Sequence, residues 1–303
     1  MKTLTIPAYL KEGDTVSIIS PSGVVDRDVI LKAVVILKAS GFNVVMGENV
    51  FRQNGCFAGS DRERLSDLQH ATDDPEIKAV FCSRGGYGIS RIIDRVDFSS
   101  LKKNPKWYVG FSDITVLHLW LNRLCGIVSL HAEMPLNYSN PKKTPESYSS
   151  VIKALKGEAE TIAWKSSHQA TVSVRGPLIG GNLSLIYSLT GTPAEPDTEG
   201  AVLFIEEVGE YYYHLDRMMT SLRLTGKLDN LAAMIVGGME KMEQGNVTYN
   251  KSAEEIILDI AGHYNYPIFF NFPAGHISDN RAVYMGRGAD VTQNGLDASL
   301  TFV

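Results

Sequence analysis

Two hydrophobic periods alternate along the first half of this chain. Short continuous apolar runs at residues 15–20 (TVSIIS), 43–47, 79–82, 107–111 and 127–131 read as buried strands. Between them, residues 28–40 have helical spacing and are closed by Gly41. Asp61 followed by residues 62–71 reads as a capped helix. Ile114, Leu117, Leu121 and Leu124 recur at helical spacing directly after the fourth run. Strands alternating with helices predict a parallel sheet covered on both faces, with ligands gathering at the carboxyl ends of its strands. Three loops would meet there: Pro21-Ser22-Gly23, residues 83–88 (SRGGYG) and residues 110–113 (GFSD).

The pattern changes after residue 137. Residues 138–145 are polar and contain two prolines, so residues 141–172 read as a connector. Beyond it, short apolar runs at 201–206, 233–236, 268–272, 282–285 and 299–303 read as strands. Two helices interrupt them. Leu215, Met218, Met219 and Leu222 form one apolar face ended by Gly226. Ser252 with Glu255 makes a capping box ahead of Ile256, Ile257 and Ile260. The predicted organisation is an α/β protein with a parallel-sheet domain over 1–140 and a β-rich α+β domain over 173–303.

Composition narrows the function without naming it. The 303 residues are 44% hydrophobic and 21% charged, with a formal net charge of -5 and no long basic run. That excludes a nucleic-acid surface built on phosphate contacts. No apolar run reaches the length of a membrane span, and residues 1–7 show no signal-peptide pattern. Cys56, Cys82 and Cys125 are too few and too widely spaced for a disulfide framework or a zinc knuckle, which fits a reducing compartment. Cys82, at a strand end, reads as a buried and inert thiol.

Ser112 carries the sharpest chemical signal. A serine at a strand-to-helix junction presents its hydroxyl beside the positive end of a helix, the logic of a nucleophile elbow. Ile114 stands where the usual elbow has a second glycine, and Ser112 or Asp113 is equally readable as an ordinary helix N-cap. A serine nucleophile needs a base and an orienting partner. Of the seven histidines, His276 is presented on a loop broken by Pro273 and Gly275, with His131 its closest rival; His118 reads as a surface or core-edge residue. Glu206 ends an apolar strand at the core boundary, where a carboxylate is costly without a partner, and Glu207 should point the other way. Backbone N–H groups of Gly86 and Asp113 are candidate oxyanion donors. The glycine loop lacks both the P-loop and the dinucleotide pattern, and no spacing suggests a metal site.

Together these segments resemble the LD-carboxypeptidase family of serine peptidases, which includes muramoyltetrapeptide carboxypeptidases and microcin C self-immunity peptidases. The likeness runs through Gly13-Asp14-Thr15-Val16, Ser20-Pro21-Ser22-Gly23, SRGGYG (83–88), Gly110-Phe111-Ser112-Asp113-Ile114-Thr115, Gly180-Gly181-Asn182-Leu183, Phe204-Ile205-Glu206-Glu207 and Pro273-Ala274-Gly275-His276. The resemblance implies Ser112 as nucleophile, His276 as base and later acid, Glu206 as its orienting residue, and Gly86 and Asp113 amides as the oxyanion hole. It implies a cytoplasmic, metal-free homodimer, with no cofactor, that removes D-alanine from a murein tetrapeptide during cell-wall recycling. Two stretches depart from many relatives: residues 131–135 (HAEMP) and residues 277–280 (ISDN), and both bear on specificity.

Two rival readings keep the scaffold. One is an immunity-type peptidase or amidase acting on acyl-nucleotide conjugates, and the other a non-catalytic murein-peptide binding protein. Arg84 is a candidate for the substrate carboxylate or a structural ion pair. Asn182 is a candidate for substrate backbone contact or a helix N-cap.

Overall fold

The computed structural model describes residues 4–246 and 248–303. Met1, Lys2 and Thr3, part of the stretch read for a signal peptide, lie outside the described residues. The chain divides into two compact units. One runs to Ala159 and takes in Ser278–Met285; the other comprises Glu160–Ile277 and Gly286–Val303.

The first unit is the strand-helix alternation seen in the sequence. Its elements are β1 (Thr15–Ile19), α1 (Arg27–Ala39), β2 (Asn43–Met46), α2 (Asp61–Asp73), β3 (Ile77–Cys82), β4 (Trp107–Gly110), α3 (Thr115–Trp120), β5 (Ser129–His131) and α4 (Pro145–Lys156). β1 lies between β2 and β3, so the chain winds outward on one side and returns on the other. The loops after β1 and β3 therefore flank a switch point, where the ends of neighbouring strands part and leave a crevice. Strands β1 to β5 pair in parallel. The sixth strand of this sheet, Val283–Met285, pairs antiparallel with β5. Its sequence position among the C-terminal strands gave no hint of this membership.

Helix ends differ from the sequence reading for a local reason. Asp26 caps α1 by accepting from Val29 N–H, and Ser60, not Asp61, caps α2 in a capping box with Glu63. Asp61 is thereby released to bind Arg64 and Arg91. The segment read as a connector holds α4, capped by Thr144 with Pro145 at its first turn, and the first half of a long strand.

The second unit contains β6 (Ile162–Asn182), α5 (Leu183–Ser188), β7 (Val202–Val208), α6 (Tyr212–Leu224), β8 (Ala233–Glu240), α7 (Ala253–Ala261) and β9 (Ile268–Phe269). After β10 (Val283–Met285), β11 (Gly288–Phe302) completes its sheet in the order β11-β6-β7-β8-β9. β6 through β9 are parallel, and β11 runs antiparallel along β6. The run at 299–303 is thus only the end of a fifteen-residue strand. Among the described residues, no helix is long and apolar enough to cross a membrane.

Candidate active site

Ser112 sits where β4 turns into α3, with φ of +65°, a left-handed conformation that a non-glycine residue rarely adopts. A helical turn at Ser112–Ile114 leads directly into α3. The turn is tight enough that a Cβ on Gly110 would fall 2.9 Å from the Ile114 side chain. Glycine is needed at Gly110 for space: its missing side chain makes room for Ile114, the residue that stands where the usual elbow has its second glycine. His118 fixes the turn from beneath. Contrary to its reading as a surface or core-edge residue, it is fully buried. Its Nε2 lies 2.8 Å from Gly110 O and its Nδ1 2.9 Å from Ser129 Oγ. Burial pushes its pKa down to about 4, so the ring is neutral at neutral pH and donates Nε2–H to the carbonyl.

The glycine loop after β3 lies against this serine. A Cβ on Gly85 would fall 3.0 Å from Ser112 Oγ and 3.3 Å from Asp113 N, so only glycine lets the loop come this close. Gly86 follows at φ +100°. The carboxylate of Asp113 is completely buried. Its Oδ2 accepts from Ser22 Oγ–H at 2.6 Å and from Ile89 N–H at 3.0 Å. Burial raises its pKa. The equally buried Arg64 donates to Pro21 O at 2.6 Å and Gly88 O at 2.8 Å. Gly23 N–H donates to Gly85 O at 3.0 Å. Three loops are thus cross-tied around the serine. Arg84 is exposed and donates to Val24 O at 2.8 Å, so part of its guanidinium braces the neighbouring loop.

Glu206 and His276 belong to the second unit and meet there. Glu206 is completely buried near the end of β7. Its Oε2 lies 2.7 Å from His276 Nδ1 and accepts the His276 backbone N–H at 3.2 Å. Gly275, at φ +109°, makes this approach possible, since a Cβ there would fall 2.7 Å from Glu206 Oε2. With Nδ1 as donor to the carboxylate, Nε2 is the proton-accepting nitrogen of the neutral ring. Glu207 is buried separately. It accepts from Asn182 Nδ2 at 2.9 Å, Ser184 N–H at 2.7 Å and Val208 N–H at 2.9 Å, and burial raises its pKa. A register shift between Ile205 and Glu207 accompanies this division of the two acids. Asn182 also occupies the N-cap position of α5, without a side-chain cap bond, and its Oδ1 accepts from Ser184 Oγ.

Residues 16–132 match the LD-carboxypeptidase N-terminal domain and residues 175–291 the LD-carboxypeptidase C-terminal domain. A probable murein peptide carboxypeptidase of Bacillus subtilis is 35% identical, over 93% of this chain and 90% of its own. The chain belongs to the LD-carboxypeptidase family. It is an enzyme, a serine-type LD-carboxypeptidase. The crystal structure of muramoyltetrapeptide carboxypeptidase from Oxalobacter formigenes superposes with a TM-score of 0.86 at 26% identity, covering 95% of this chain and 98% of that one. A microcin C7 self-immunity protein, solved with adenosine monophosphate, gives a TM-score of 0.87 at 20% identity, over 98% of each chain, and shares the fold.

Within this LD-carboxypeptidase, the sequence reading missed the groups that hold the loops. Arg64 was not singled out within its predicted helix, and Asp113 was read as an N-cap or a backbone donor. Only the sheet brings residues 21, 64, 88 and 113 together. The two stretches that depart from relatives also converge. Glu133 is fully buried, 2.7 Å from both Lys143 Nζ and Asn137 Nδ2, and Asn280 Nδ2 reaches to 3.5 Å of it. Cys82 is fully buried, which pushes its thiol pKa up and leaves it unreactive, as the sequence suggested.

Proposed function

We propose that this carboxypeptidase removes the terminal D-alanine from the murein tetrapeptide L-Ala-γ-D-Glu-meso-diaminopimelate-D-Ala by an acyl-enzyme route, in the recycling of cell-wall fragments in the cytoplasm. The observation that carries the reading is the 2.7 Å bond from His276 Nδ1 to a carboxylate that is completely buried. A histidine held in this tautomer by a buried acid is an oriented base. The names of the Bacillus and Oxalobacter relatives supply the substrate class.

In the proposed mechanism Ser112 Oγ attacks the carbonyl carbon of the L,D-peptide bond and His276 Nε2 takes its proton. The developing oxyanion is received by the Gly86 and Asp113 amides. Collapse of the tetrahedral species passes the proton from His276 to the departing amine of D-alanine and leaves an ester on Ser112. Water, deprotonated by His276, then attacks the ester, and collapse releases the tripeptide as His276 returns the proton to Ser112 Oγ. Glu206 keeps its charge throughout and stabilises the imidazolium. Arg84 and Asn182 are candidate substrate contacts with second duties in the scaffold.

The test is incubation of the purified chain with the diaminopimelate tetrapeptide, following D-alanine by mass spectrometry, beside Ser112→Ala. Release by the wild type and none by the variant is expected. Turnover above a few per cent of wild type in Ser112→Ala sinks the mechanism. Glu206→Gln should cost less than His276→Ala, because Glu206 orients and does not react. A homodimer is part of the same proposal, and a monomer mass by light scattering would remove it.

A further inference from the structure

The Gly86 amide belongs to a peptide plane whose opposite edge is tied down. The Gly85 carbonyl and the Gly86 N–H point opposite ways from one trans peptide, so fixing the first aims the second. Gly85 O accepts from Gly23 N–H at 3.0 Å, which joins the loop after β1 to the loop after β3. A Cβ on Gly23 would fall 2.9 Å from Gly85 O, so a bulkier residue would push the two apart. Neither Gly85 nor Gly86 has a side chain to resist rotation of the plane between them. The bond from Gly23 supplies that restraint.

A bond between two loops keeps its direction only while the loops keep their spacing, and Arg64 of α2 sets that spacing. Its buried Nη1 donates to Pro21 O, two residues before Gly23, and to Gly88 O, two residues after Gly86. Gly88 is shaped to this contact, since a Cβ there would fall 2.6 Å from Arg64 Nη1. Asp61 binds the other terminal nitrogen, and the guanidinium lies 5.0 Å from the centre of the Phe57 ring, so the cation is itself held in place. A planar guanidinium serves these partners together; the single ammonium of a lysine cannot reach both carbonyls and Asp61 at once. We propose that Gly23 N–H and Arg64 are positioning groups that aim the Gly86 amide at the developing oxyanion and set kcat through it. The proposal rests on the serine mechanism above and names what holds its oxyanion donor.

The experiment measures kcat, KM and Tm for the wild type, Gly23→Ala and Arg64→Lys. Gly23 is not among the glycines with positive φ, so the backbone accepts alanine and the new Cβ acts on Gly85 O. The expected result is a fall in kcat of about tenfold to a hundredfold in both variants, with KM changed by less than about twofold. That is smaller than the roughly hundredfold to thousandfold loss when an oxyanion donor is removed outright. A role confined to stability lowers Tm and leaves kcat of the folded enzyme unchanged; that outcome, or a raised KM at unchanged kcat, overturns the proposal. If Arg64→Lys does not fold, Asp61→Asn takes its place, because the Asp61 side chain is 29% exposed and its loss frees the guanidinium without emptying the core. Unchanged kcat in that variant overturns the role of Arg64. A second assay separates positioning from substrate identity. Ser112 Oγ displaces fluoride from a fluorophosphonate, passing its proton to His276, and the phosphonyl oxygen uses the same amide donors as the peptide oxyanion. If the wild type releases no D-alanine, the murein reading fails and the labelling rate decides: slowing by about tenfold or more in the variants upholds the positioning role, while equal rates, or an unlabelled wild type, overturn it.

Discussion

Ser112→Gly should make the protein more stable than Ser112→Ala while both are inactive. Ser112 is held at φ +65°. An L-residue in that region costs roughly 1–2 kcal/mol relative to its preferred backbone. Alanine keeps the Cβ and therefore the strain; glycine loses both. Against this, glycine loosens the unfolded chain, which costs about 0.4–1 kcal/mol. The difference leaves Ser112→Gly more stable than Ser112→Ala by about 0.5–1 kcal/mol. For a chain of this length that corresponds to roughly 1–2 °C in Tm. Equilibrium urea unfolding, with refolding checked, reads the difference directly, and D-alanine release confirms that neither variant turns over. The alanine variant isolates strain from the lost hydroxyl, because both variants lack Oγ. Equal stability, or a less stable glycine variant, would refute the claim that the elbow stores backbone strain at Ser112, the proposed nucleophile.

Gly275→Ala should lower kcat by about a hundredfold or more, since a Cβ 2.7 Å from Glu206 Oε2 must displace the acid from His276 and near-attack geometry tolerates little displacement; wild-type turnover in that variant would count against the orienting role of Glu206. Asp113→Ala leaves Ser22 and Ile89 N–H without their acceptor and should reduce kcat about tenfold to a hundredfold, at roughly 1–3 kcal/mol for orphaned donors, with a smaller change in KM. Asp113→Asn, which keeps an acceptor oxygen, should recover most of it, and equal loss in both variants would assign the effect to the charge. For His118, the folded pKa of about 4 lies below the unfolded value near 6.5, so the unfolded chain binds the extra proton first. The resulting stability is fully present above pH 6.5 and falls as pH drops from 6.5 to 4, by about 3 kcal/mol. His118→Gln should flatten that part of the stability–pH curve, and an unchanged slope would mean that the ring is protonated in the fold.

Legibility followed the range of the interactions. Strands β1 to β5 and helices α1 to α3 of the first unit were readable because each buries a run or a face whose period is written locally, whereas α4 lay in the polar segment read as a connector. The capping box at Ser252 and Gly41 behave likewise, while the box at Ser60 was passed over for the neighbouring Asp61. β6 and β11 were hard to read. They form one long antiparallel pair in which exposed and buried positions alternate through polar stretches, with a register shift between Gly295 and Asp297. Their apolar content is low because one face is largely exposed, so neither stands out without its partner strand. The edge strand Val283–Met285 was legible as a strand, but not as a member of the first sheet, because pairing with His131 and Ser129 spans some 150 positions.

The sequence by itself determined strands β1 to β5 and helices α1 to α3, the glycine loop, the serine at a strand-to-helix turn, and the acid and histidine ordered as in the family it resembles. Those signals are short, and each depends on the chain a few residues to either side. Only the tertiary structure decided the left-handed backbone of Ser112, the burial and tautomer of His118, the separate partners of Glu206 and Glu207, and the use of the Asp113 carboxylate and Arg64 as braces. The physical reason is that burial and hydrogen-bond partnership belong to pairs of residues distant in sequence. A carboxylate becomes an orienting group, a brace or a solvated acid only when the fold supplies what stands opposite it.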